Sequence, residues 1–380
     1  MVKDRPVVDN RTLHIMHVLT RLPVGGVENM LLKVVRNYDA RRFRVSVCCI
    51  QQGGEIADAL KDLGYEVYIL DRMQGSGFDW GAVRAVYQCV KREHVDILRT
   101  HQYHANLYGR VAGILARVPV IVPSFHNLYC SPSKPKAHRR ILNFLLSLFS
   151  DRIVAVSHAV AADVIAYDRV PPDKVAVIHN GVMAEPFRAD ISREEARRQL
   201  GVPPDGFFIG NAGRLSEQKG QRYLVEAAAG LNATVLFAGD GPLRNELEER
   251  AQRHGTGCRF LGMLKPDQMP LFMKSLDLFC FPSLWEGLPS ALAEAITAGL
   301  PVVASDIPPN REVLGSAGFF VPAGNGAKLR QTLQEVMAND ELMTALREKA
   351  LRQAELFSLE HTVKAYEDLF MQIMKDKGLA

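Results

Sequence analysis

FPSLWEGLPSALAEAITAGLPVVAS, residues 281–305, is the stretch from which the fold of this chain can be inferred. The apolar run LDLFC before it predicts a buried strand, and the residues from Ser290 to Ala298 predict a helix that ends at Gly299. Pro301 opens the next strand, PVVAS. Strand, loop, helix and strand in this order form a βαβ element, which indicates a parallel sheet.

Two carboxylates bracket the loop of this element. Glu286 lies in the turn, and Glu294 lies eight positions later, inside the helix. Loops at the carboxyl ends of parallel strands bind ligands, and the N–H groups at a helix N-terminus attract anions. The pair therefore predicts a ligand with hydroxyl groups at two places and a phosphate between them. A surface Glu beside a capping Glu is the alternative interpretation.

Composition restricts the class of protein. The chain has 380 residues, 47% of them hydrophobic and 23% charged, which is typical of two folded α/β domains. No apolar run approaches the roughly 18 residues of a membrane span, and no signal peptide is evident, so a cytoplasmic protein is expected. The cysteines show no CxxC spacing and the histidines form no HExxH motif, so no metal site is expected.

The charge is unevenly distributed. No Asp or Glu occurs between Asp96 and Asp151, and the span 97–150 contains several basic residues, among them Lys134, Lys136, Arg139 and Arg140. This span predicts contact with an anionic membrane or a phosphate-bearing acceptor, and scattered solvated cations are the alternative. Nucleic acid is not expected, because no recognition motif accompanies the charge. The apolar run ILNFLLSLF, residues 141–149, predicts a core helix, with an interfacial helix as the alternative.

Strand and helix patterns alternate strictly along most of the chain. One series covers residues 12–182 and a second covers residues 207–339, each with the alternation of a doubly wound parallel sheet. The fold class predicted is therefore α/β, with two Rossmann-like domains that face a central cleft. The predicted boundaries are 1–183 for the first domain, 184–357 for the second, and 358–380 for a C-terminal helix that crosses back to the first domain.

Several loops carry residues suited to phosphate binding. In GRLSEQKG, residues 213–220, Arg214 and Lys219 lie five positions apart in a loop that enters a helix, and two such cations can neutralise a diphosphate. His101 and His126 each follow a predicted strand. Gly25 and Gly26 precede the first helix without the GxGxxG spacing, so NAD binding is not predicted.

These motifs resemble those of the retaining glycosyltransferases of family 4, which have the two-domain GT-B architecture. The similarity extends over nearly the whole chain, in the stretches GGVEN (25–29), THQYHANLYG (100–109), FHN (125–127), VAVS (154–157), IHNGV (178–182), GRLSEQKG (213–220), GDGP (239–242), FLG (260–262) and 282–305. The Glu286/Glu294 pair is the most specific of these signals and the glycine pair the least. One departure is Met183 after NGV, where the family commonly has Asp.

The resemblance implies a role for each matching residue. As residues of the reacting centre it implies His126, Glu286, Arg214 and Lys219. As donor-binding residues it implies Gly25, Gly26, Arg214, Lys219, Met263, Leu264, Glu286, Gly287, Leu288, Pro289 and Glu294. In these roles Arg214 and Lys219 hold the diphosphate, Glu286 meets the sugar hydroxyls, and backbone amides from Gly287 to Pro289 contact sugar and phosphate. Glu294 holds the ribose, and Met263 and Leu264 border the base. As residues lining the cleft it implies His101, Ser157 and Asn180. It also implies that the first domain, 1–183, binds the acceptor and that the second, 184–357, binds the nucleotide sugar.

The expected function is that of a retaining, metal-independent glycosyltransferase. The donor is a UDP-sugar or GDP-sugar, used as a substrate rather than a cofactor, and the acceptor is a glycan or lipid-linked molecule of cell-surface polysaccharide biosynthesis. The expected location is the cytoplasm, at the inner face of the membrane if the span 97–150 contacts lipid. The alternatives are a nucleotide-sugar epimerase or phosphorylase of the same fold, and a non-catalytic binding subunit.

Overall fold

Residues 12–23, 25–73, 78–128 and 137–379 are described by the structure, a computed structural model. Lys134 and Lys136 of the basic span lie outside the described residues. The chain divides into two units, Met1–His179 with Glu360–Ala380, and Asn180–Leu359. Each unit contains one parallel sheet, of seven strands in the first and six in the second. The predicted class of two parallel-sheet α/β domains is confirmed.

The first unit is built on strands in the order β3-β2-β1-β4-β5-β6-β7. These strands are β1 Leu13–Leu19, β2 Phe43–Cys49, β3 Glu66–Ile69, β4 Ile97–His101, β5 Val120–Phe125, β6 Ile153–Ala155 and β7 Val175–Val177. The helices are α1 Gly26–Val35, α2 Glu55–Asp62, α3 Trp80–Arg92, α4 Tyr103–Ala116, α5 Ala137–Leu148 and α6 His158–Asp168. The strand order reverses between β1 and β4, which is where doubly wound sheets bind ligands.

The second unit has the strand order β10-β9-β8-β11-β12-β13. Its strands are β8 Phe208–Ala212, β9 Thr234–Ala238, β10 Cys258–Gly262, β11 Leu278–Phe281, β12 Val302–Ser305 and β13 Gly318–Val321. Its helices are α7 Ala184–Arg188, α8 Arg193–Gln199, α9 Gln221–Ala227, α10 Arg244–His254, α11 Gln268–Ser275, α12 Ser290–Thr297, α13 Pro308–Leu314, α14 Gly326–Met337 and α15 Asp340–Ala354. The reversal in strand order lies between β8 and β11.

The last helix, α16 Leu359–Asp376, packs in the first unit through a buried arginine. Arg99 of β4 is 2% exposed, and its guanidinium lies 3.7 Å from the centroid of the Tyr366 ring. The same guanidinium donates hydrogen bonds to Tyr38 Oη (3.1 Å) and Ser124 Oγ (2.8 Å). A charge removed from water is costly unless it is hydrogen-bonded or stacked, so these contacts fix Arg99 in the core.

The sequence analysis did not predict two short helices, α7 and α13. Helix α7 lies between the two series of alternating patterns, 12–182 and 207–339, and α13 begins with a proline after a gap of two residues from β12. Proline has no N–H to lose at the first position of a helix, and its fixed φ suits a helix start. Prolines alone also occur in loops, and neither segment is long enough to display a clear helical period.

Helix α5 contradicts its prediction as a core helix. Its exposed apolar side chains, with that of the residue after it, are Ile141, Phe144, Leu145, Leu148 and Phe149. The buried positions include Asn143, which accepts a hydrogen bond from Arg110 Nη2 (2.7 Å) and donates one to Asp168 Oδ2 (3.0 Å). Because a polar network takes up part of the inner face, the apolar side chains project outward. Among the described residues, no helix has both the length and the hydropathy to cross a membrane.

Candidate functional site

The loops after β8 and β9 lie against each other at the carboxyl edge of the second sheet. Gly213 and Gly239, which follow these strands, both have positive φ, 144° and 137°. A methyl group at Gly239 would overlap the Gly213 carbonyl oxygen, so a side chain has no room there. The Leu215 N–H donates to the Asp240 carbonyl at 3.0 Å. The backbone of both loops is therefore fixed at the edge where ligands bind.

The loop after β8 is also bonded to the loop after β11. The Leu284 N–H donates to the Gln218 carbonyl (2.7 Å), and Gln218 Nε2 donates to the Trp285 carbonyl (2.9 Å). Gly220 closes this junction with φ 64°, and a methyl group there would overlap the Pro282 carbonyl oxygen. Strands β8 and β11 are neighbours in the sheet, so the two loops form one surface at the reversal point.

A buried ion pair joins these two loops. Lys219 Nζ lies 2.7 Å from Glu286 Oε1, and the side chains are 19% and 6% exposed. The ammonium also lies 5.2 Å from the centroid of the Phe281 ring. A buried carboxylate needs a nearby cation, so Lys219 compensates Glu286. The structure thus brings together two residues that were predicted for the reacting centre.

Arg214 differs from Lys219 in its surroundings. Its side chain is exposed, and its backbone carbonyl accepts a hydrogen bond from Gln221 Nε2 at 3.1 Å. Within the described part of the chain, its guanidinium has neither an ion pair nor a hydrogen bond. One loop therefore presents an exposed cation at Arg214 and a cation bound to a carboxylate at Lys219.

Four further residues predicted for the donor follow Glu286 along the chain. Gly287, Leu288 and Pro289 are buried, and Glu294 is half-buried on α12. The contact of backbone amides from Gly287 to Pro289 with the donor stays a prediction, and only Gly287 and Leu288 have an N–H to donate, because proline has none. Pro289 instead precedes the helix, and its carbonyl accepts from the N–H groups of Leu292 and Ala293.

Met263 and Leu264 follow β10, at the outer edge of the same sheet. Met263 is 68% exposed and Leu264 is half-buried. An exposed methionine in a loop has no packing role of its own, and its flexible side chain can cover a flat apolar surface. The position is compatible with the predicted contact to a base.

Three histidines form a row across adjacent strands of the first sheet. His17 Nδ1 lies 3.0 Å from His101 Nε2, and His101 Nδ1 lies 3.2 Å from His126 Nε2. The outer ring nitrogens, His17 Nε2 and His126 Nδ1, are buried and have no partner among the described residues. Because each ring nitrogen either donates or accepts, the tautomer of one histidine sets that of the next.

The row is held neutral by its environment. Burial, and after it the charge of nearby Arg99, together lower the pKa of His126 to about 3. Burial likewise lowers the pKa of His17 and of His101 well below the ordinary value, again with Arg99 as the second cause. Neutral imidazoles can donate and accept hydrogen bonds, but a base with so low a pKa takes up a proton poorly at pH 7.

The glycine pair and a buried carboxylate lie at the start of α1. A methyl group at Gly25 would overlap Glu28 Oε2, whereas one at Gly26 would meet nothing within 4 Å. Glu28 is 6% exposed and accepts a hydrogen bond from Gln102 Nε2. The absence of a side chain at Gly25 therefore leaves space for the Glu28 carboxylate, and the space beside Gly26 is open.

Ser157 and Asn180 have evident structural positions. Ser157 is buried and caps α6, where its hydroxyl accepts from the Val160 N–H at 3.1 Å. Asn180 is 8% exposed and begins the second unit. Neither position requires a ligand, and their predicted role in lining a cleft stays a prediction.

The predicted residues thus fall into two groups. The second unit holds Arg214, Lys219, Met263, Leu264, Glu286, Gly287, Leu288, Pro289 and Glu294, and the first holds Gly25, Gly26, His101, His126 and Ser157. Sequence reasoning missed Glu28, His17 and Gln218. Glu28 stood inside the quoted motif GGVEN, but His17 lies within a buried strand, where a histidine is hard to distinguish from core.

Two parallel-sheet units with phosphate-suited loops at a strand reversal define the GT-B class of glycosyltransferases, and solved structures support this fold. HepE of Anabaena, solved in complex with UDP, has a TM-score of 0.83 and 22% identity, and covers 95% of this chain and 100% of its own. WaaG, a glycosyltransferase involved in lipopolysaccharide biosynthesis, has a TM-score of 0.72 and 17% identity, with 93% and 99% covered. At these identities the similarity shows the fold alone.

The family models identify the chain more closely. The model for Glycosyltransferase Family 4 matches residues 24–185, and the model for Glycosyl transferases group 1 matches residues 192–353. The chain therefore belongs to the family 4 glycosyltransferases. UDP-Gal:alpha-D-GlcNAc-diphosphoundecaprenol alpha-1,3-galactosyltransferase of Escherichia coli is 26% identical over 96% of this chain and 98% of that protein. Putative glycosyltransferase EpsF of Bacillus subtilis is 25% identical over 84% of each.

The close contact at Gly220 predicts that substitution by alanine lowers stability more at Gly220 than at Gly255, although both glycines have the same backbone conformation. Gly255 ends α10 with φ 62° and has nothing within 4 Å of an added methyl group, so Gly255→Ala should cost only the left-handed strain, about 1–2 kcal/mol. Gly220→Ala should cost roughly 1–3 kcal/mol more, because the Pro282 carbonyl must move. Urea unfolding of both variants measures the difference, and equal losses would contradict the close junction.

The histidine row predicts a pH dependence of stability. The unfolded chain takes up a proton at each of these histidines near pH 6.5, whereas the folded pKa values are lower, so the free energy of unfolding falls as the pH drops below 6.5. For His126 alone the loss from pH 7 to pH 5 is about 2 kcal/mol. The variant His126→Gln should lose the contribution of His126 to the pH dependence of the free energy of unfolding. The control His138→Gln, which changes an exposed residue, should keep that contribution. Equal slopes in both variants would show that His126 is not held neutral.

Proposed function

We infer that the chain transfers a sugar from a uridine diphosphate sugar to a lipid-linked glycan, with retention of configuration and without a bound metal ion. The observation that carries this proposal is the exposed Arg214 guanidinium in the same loop as Lys219, whose ammonium pairs with Glu286 of the neighbouring loop. Two adjacent loops at the carboxyl edge of a doubly wound sheet, with two cations and a carboxylate, suit a diphosphate joined to a sugar.

The choice of uridine rests on relatives. The galactosyltransferase of Escherichia coli, aligned over almost the whole chain, has UDP-Gal in its name, and HepE was solved with UDP. The proposed contacts to the base come from the loop after β10, where Met263 is exposed. Contacts made by loops vary readily between relatives. GDP-sugars are therefore the competing donors in the experiment below.

The proposed reaction replaces one bond on the anomeric carbon by another on the same face. The bond to the diphosphate oxygen breaks, the acceptor hydroxyl oxygen bonds to that carbon, and the hydroxyl proton passes to a departing phosphate oxygen. Arg214 and Lys219 stabilise the charge that develops on the leaving diphosphate, and Glu286 accepts hydrogen bonds from hydroxyls of the donor sugar. His126 contributes a hydrogen bond as a neutral imidazole, because its low pKa does not suit a general base.

The metal-independent mechanism is supported by the kind of residues in the loop. A divalent cation on a diphosphate is usually held by carboxylates, whereas this loop offers an arginine and a lysine. Two charge-assisted contacts neutralise much of the diphosphate charge without an ion. Glu286 is already bonded to Lys219 and is assigned to the sugar.

A membrane surface is the proposed setting of the acceptor. Helix α5 exposes four large apolar side chains and Phe149 after it a fifth, and His138, Arg139 and Arg140 precede them in an acid-free span. Apolar groups next to basic residues are suited to the boundary of an anionic bilayer. The name of the Escherichia coli relative contains a diphosphoundecaprenol acceptor, which is lipid-linked.

Arg214 provides the test of the donor site. Arg214→Ala should weaken UDP binding about tenfold to a hundredfold, since one charge-assisted hydrogen bond contributes roughly 1.5–3 kcal/mol. Its melting temperature without UDP should stay at the wild-type value, because the guanidinium has no partner among the described residues. Calorimetric titration with UDP and with GDP, each with and without EDTA, measures the affinity.

The control is Arg253→Ala, which removes an exposed arginine from α10 and should change neither quantity. Unaltered UDP affinity in Arg214→Ala would remove this loop from the donor site. Tighter binding of GDP than of UDP would overturn the choice of base, and loss of binding in EDTA would overturn metal independence.

A further inference from the structure

The row of three histidines consists of buried titratable groups, and the proposed reaction uses only the one at its end, His126. The rings are stacked, with centroids 5.3 Å apart for His17 and His101 and 5.4 Å apart for His101 and His126. His17 is fully buried and His101 is 4% exposed. The nitrogens at the two ends of the row have no partner among the described residues. Such nitrogens destabilise a folded chain, so stability does not account for the row.

Hydrogen bonding allows only two arrangements of protons along the row. The three rings are neutral, because burial and the charge of Arg99 lower their pKa values, and a neutral imidazole has one N–H, on Nδ1 or on Nε2. Each of the two contacts joins Nδ1 of one ring to Nε2 of the next and needs one N–H and one lone pair. Either all three rings therefore carry the proton on Nδ1, or all three carry it on Nε2.

The closed end of the row favours the arrangement with the protons on Nδ1. In that arrangement the row ends at His17 with a lone pair on Nε2 and at His126 with an N–H on Nδ1. The reverse arrangement would place an N–H on Nε2 of His17, which is buried in β1 without a partner among the described residues. A buried N–H without an acceptor is rarer in folded proteins than an acceptor without a donor. His126 is half-buried and directly follows β5, at the sheet edge where ligands bind.

We propose that His17 and His101 are positioning residues that hold the proton of His126 on Nδ1, so that His126 offers an N–H to an oxygen atom of the substrate. The inference rests on the proposed function, which gives His126 a hydrogen bond at the reacting centre. His17 acts through the contacts between the rings and does not touch the substrate. A donor that its neighbours hold in place can stabilise negative charge on an oxygen without first having to reorient.

NMR of the full chain labelled with ¹⁵N-histidine tests the positions of the protons, because protonated and unprotonated ring nitrogens differ widely in ¹⁵N chemical shift. In the wild-type protein His17, His101 and His126 should all show a protonated Nδ1 and an unprotonated Nε2. Different tautomers within the row would contradict the coupling. Protons on Nε2 in all three rings would overturn the assignment of the free N–H to His126.

The substitution His17→Phe tests the coupling at a distance. It removes the N–H that holds His101, so His126 should become a mixture of both tautomers. Release of UDP from saturating UDP-galactose or UDP-glucose in water, whichever the wild type hydrolyses, should slow by roughly twofold to tenfold, the equivalent of one hydrogen bond. The conservative variant His17→Asn can place an amide N–H near the position of Nδ1 and should restore both the tautomer and the rate.

The matched control is His14→Phe, in the same strand but outside the row. The ring of His14 is buried, with Nδ1 2.9 Å from the Glu93 carbonyl oxygen and Nε2 2.7 Å from Ser46 Oγ. This variant should have a lower melting temperature, but it should keep the tautomer of His126 and the wild-type rate of UDP release. An unchanged tautomer of His126 in His17→Phe, or an equal change in His14→Phe, would overturn the role of His17.

The outcomes separate this inference from the proposed function. Binding of UDP together with different tautomers in the row would overturn the positioning role and leave the transferase proposal standing. A shared Nδ1 tautomer that His17→Phe disrupts, in a protein that neither binds UDP nor hydrolyses either UDP-sugar, would support the coupling and overturn the proposed function.

Discussion

The ion pair between Lys219 and Glu286 is the interaction on which the proposed donor site of the second unit depends. It joins the loops that follow β8 and β11, two neighbouring strands at the reversal of strand order. The pair is buried, and the backbone around it is closed by Gly220 and Gln218. If Lys219 turned from Glu286 to a bound diphosphate, the buried carboxylate would lose its cation. Hydroxyls of the same ligand, which Glu286 is proposed to bind, would then have to replace that contact.

In the first unit the buried ionisable groups include an arginine and a row of histidines. A buried arginine, Arg99, stacks on Tyr366 of the last helix. Burial, and after it the charge of Arg99, lowers the pKa of His101 and of His126. In the same unit the buried carboxylate of Glu28, in the first turn of α1, accepts hydrogen bonds from Gln102 Nε2 and from its own backbone N–H.

The order of strands and helices could be predicted from the sequence because the two periodicities alternate over long segments, as in residues 281–305. The short helices α7 and α13 could not, and neither could the outward face of α5, because Asn143 pairs with Asp168, which is distant in sequence. At the site, the residue types of Arg214, Lys219 and Glu286 pointed to a phosphate-bearing ligand. Their pairing could not be predicted, since it depends on which strands become neighbours.

Hydrogen exchange in the presence of UDP tests the central claim most directly, because it reports where along the chain the nucleotide binds. The account predicts slower amide exchange in residues 213–220 and 282–294, with α10 unaffected. Protection confined to residues 97–128 of the first unit, or no protection at saturating UDP, would contradict it.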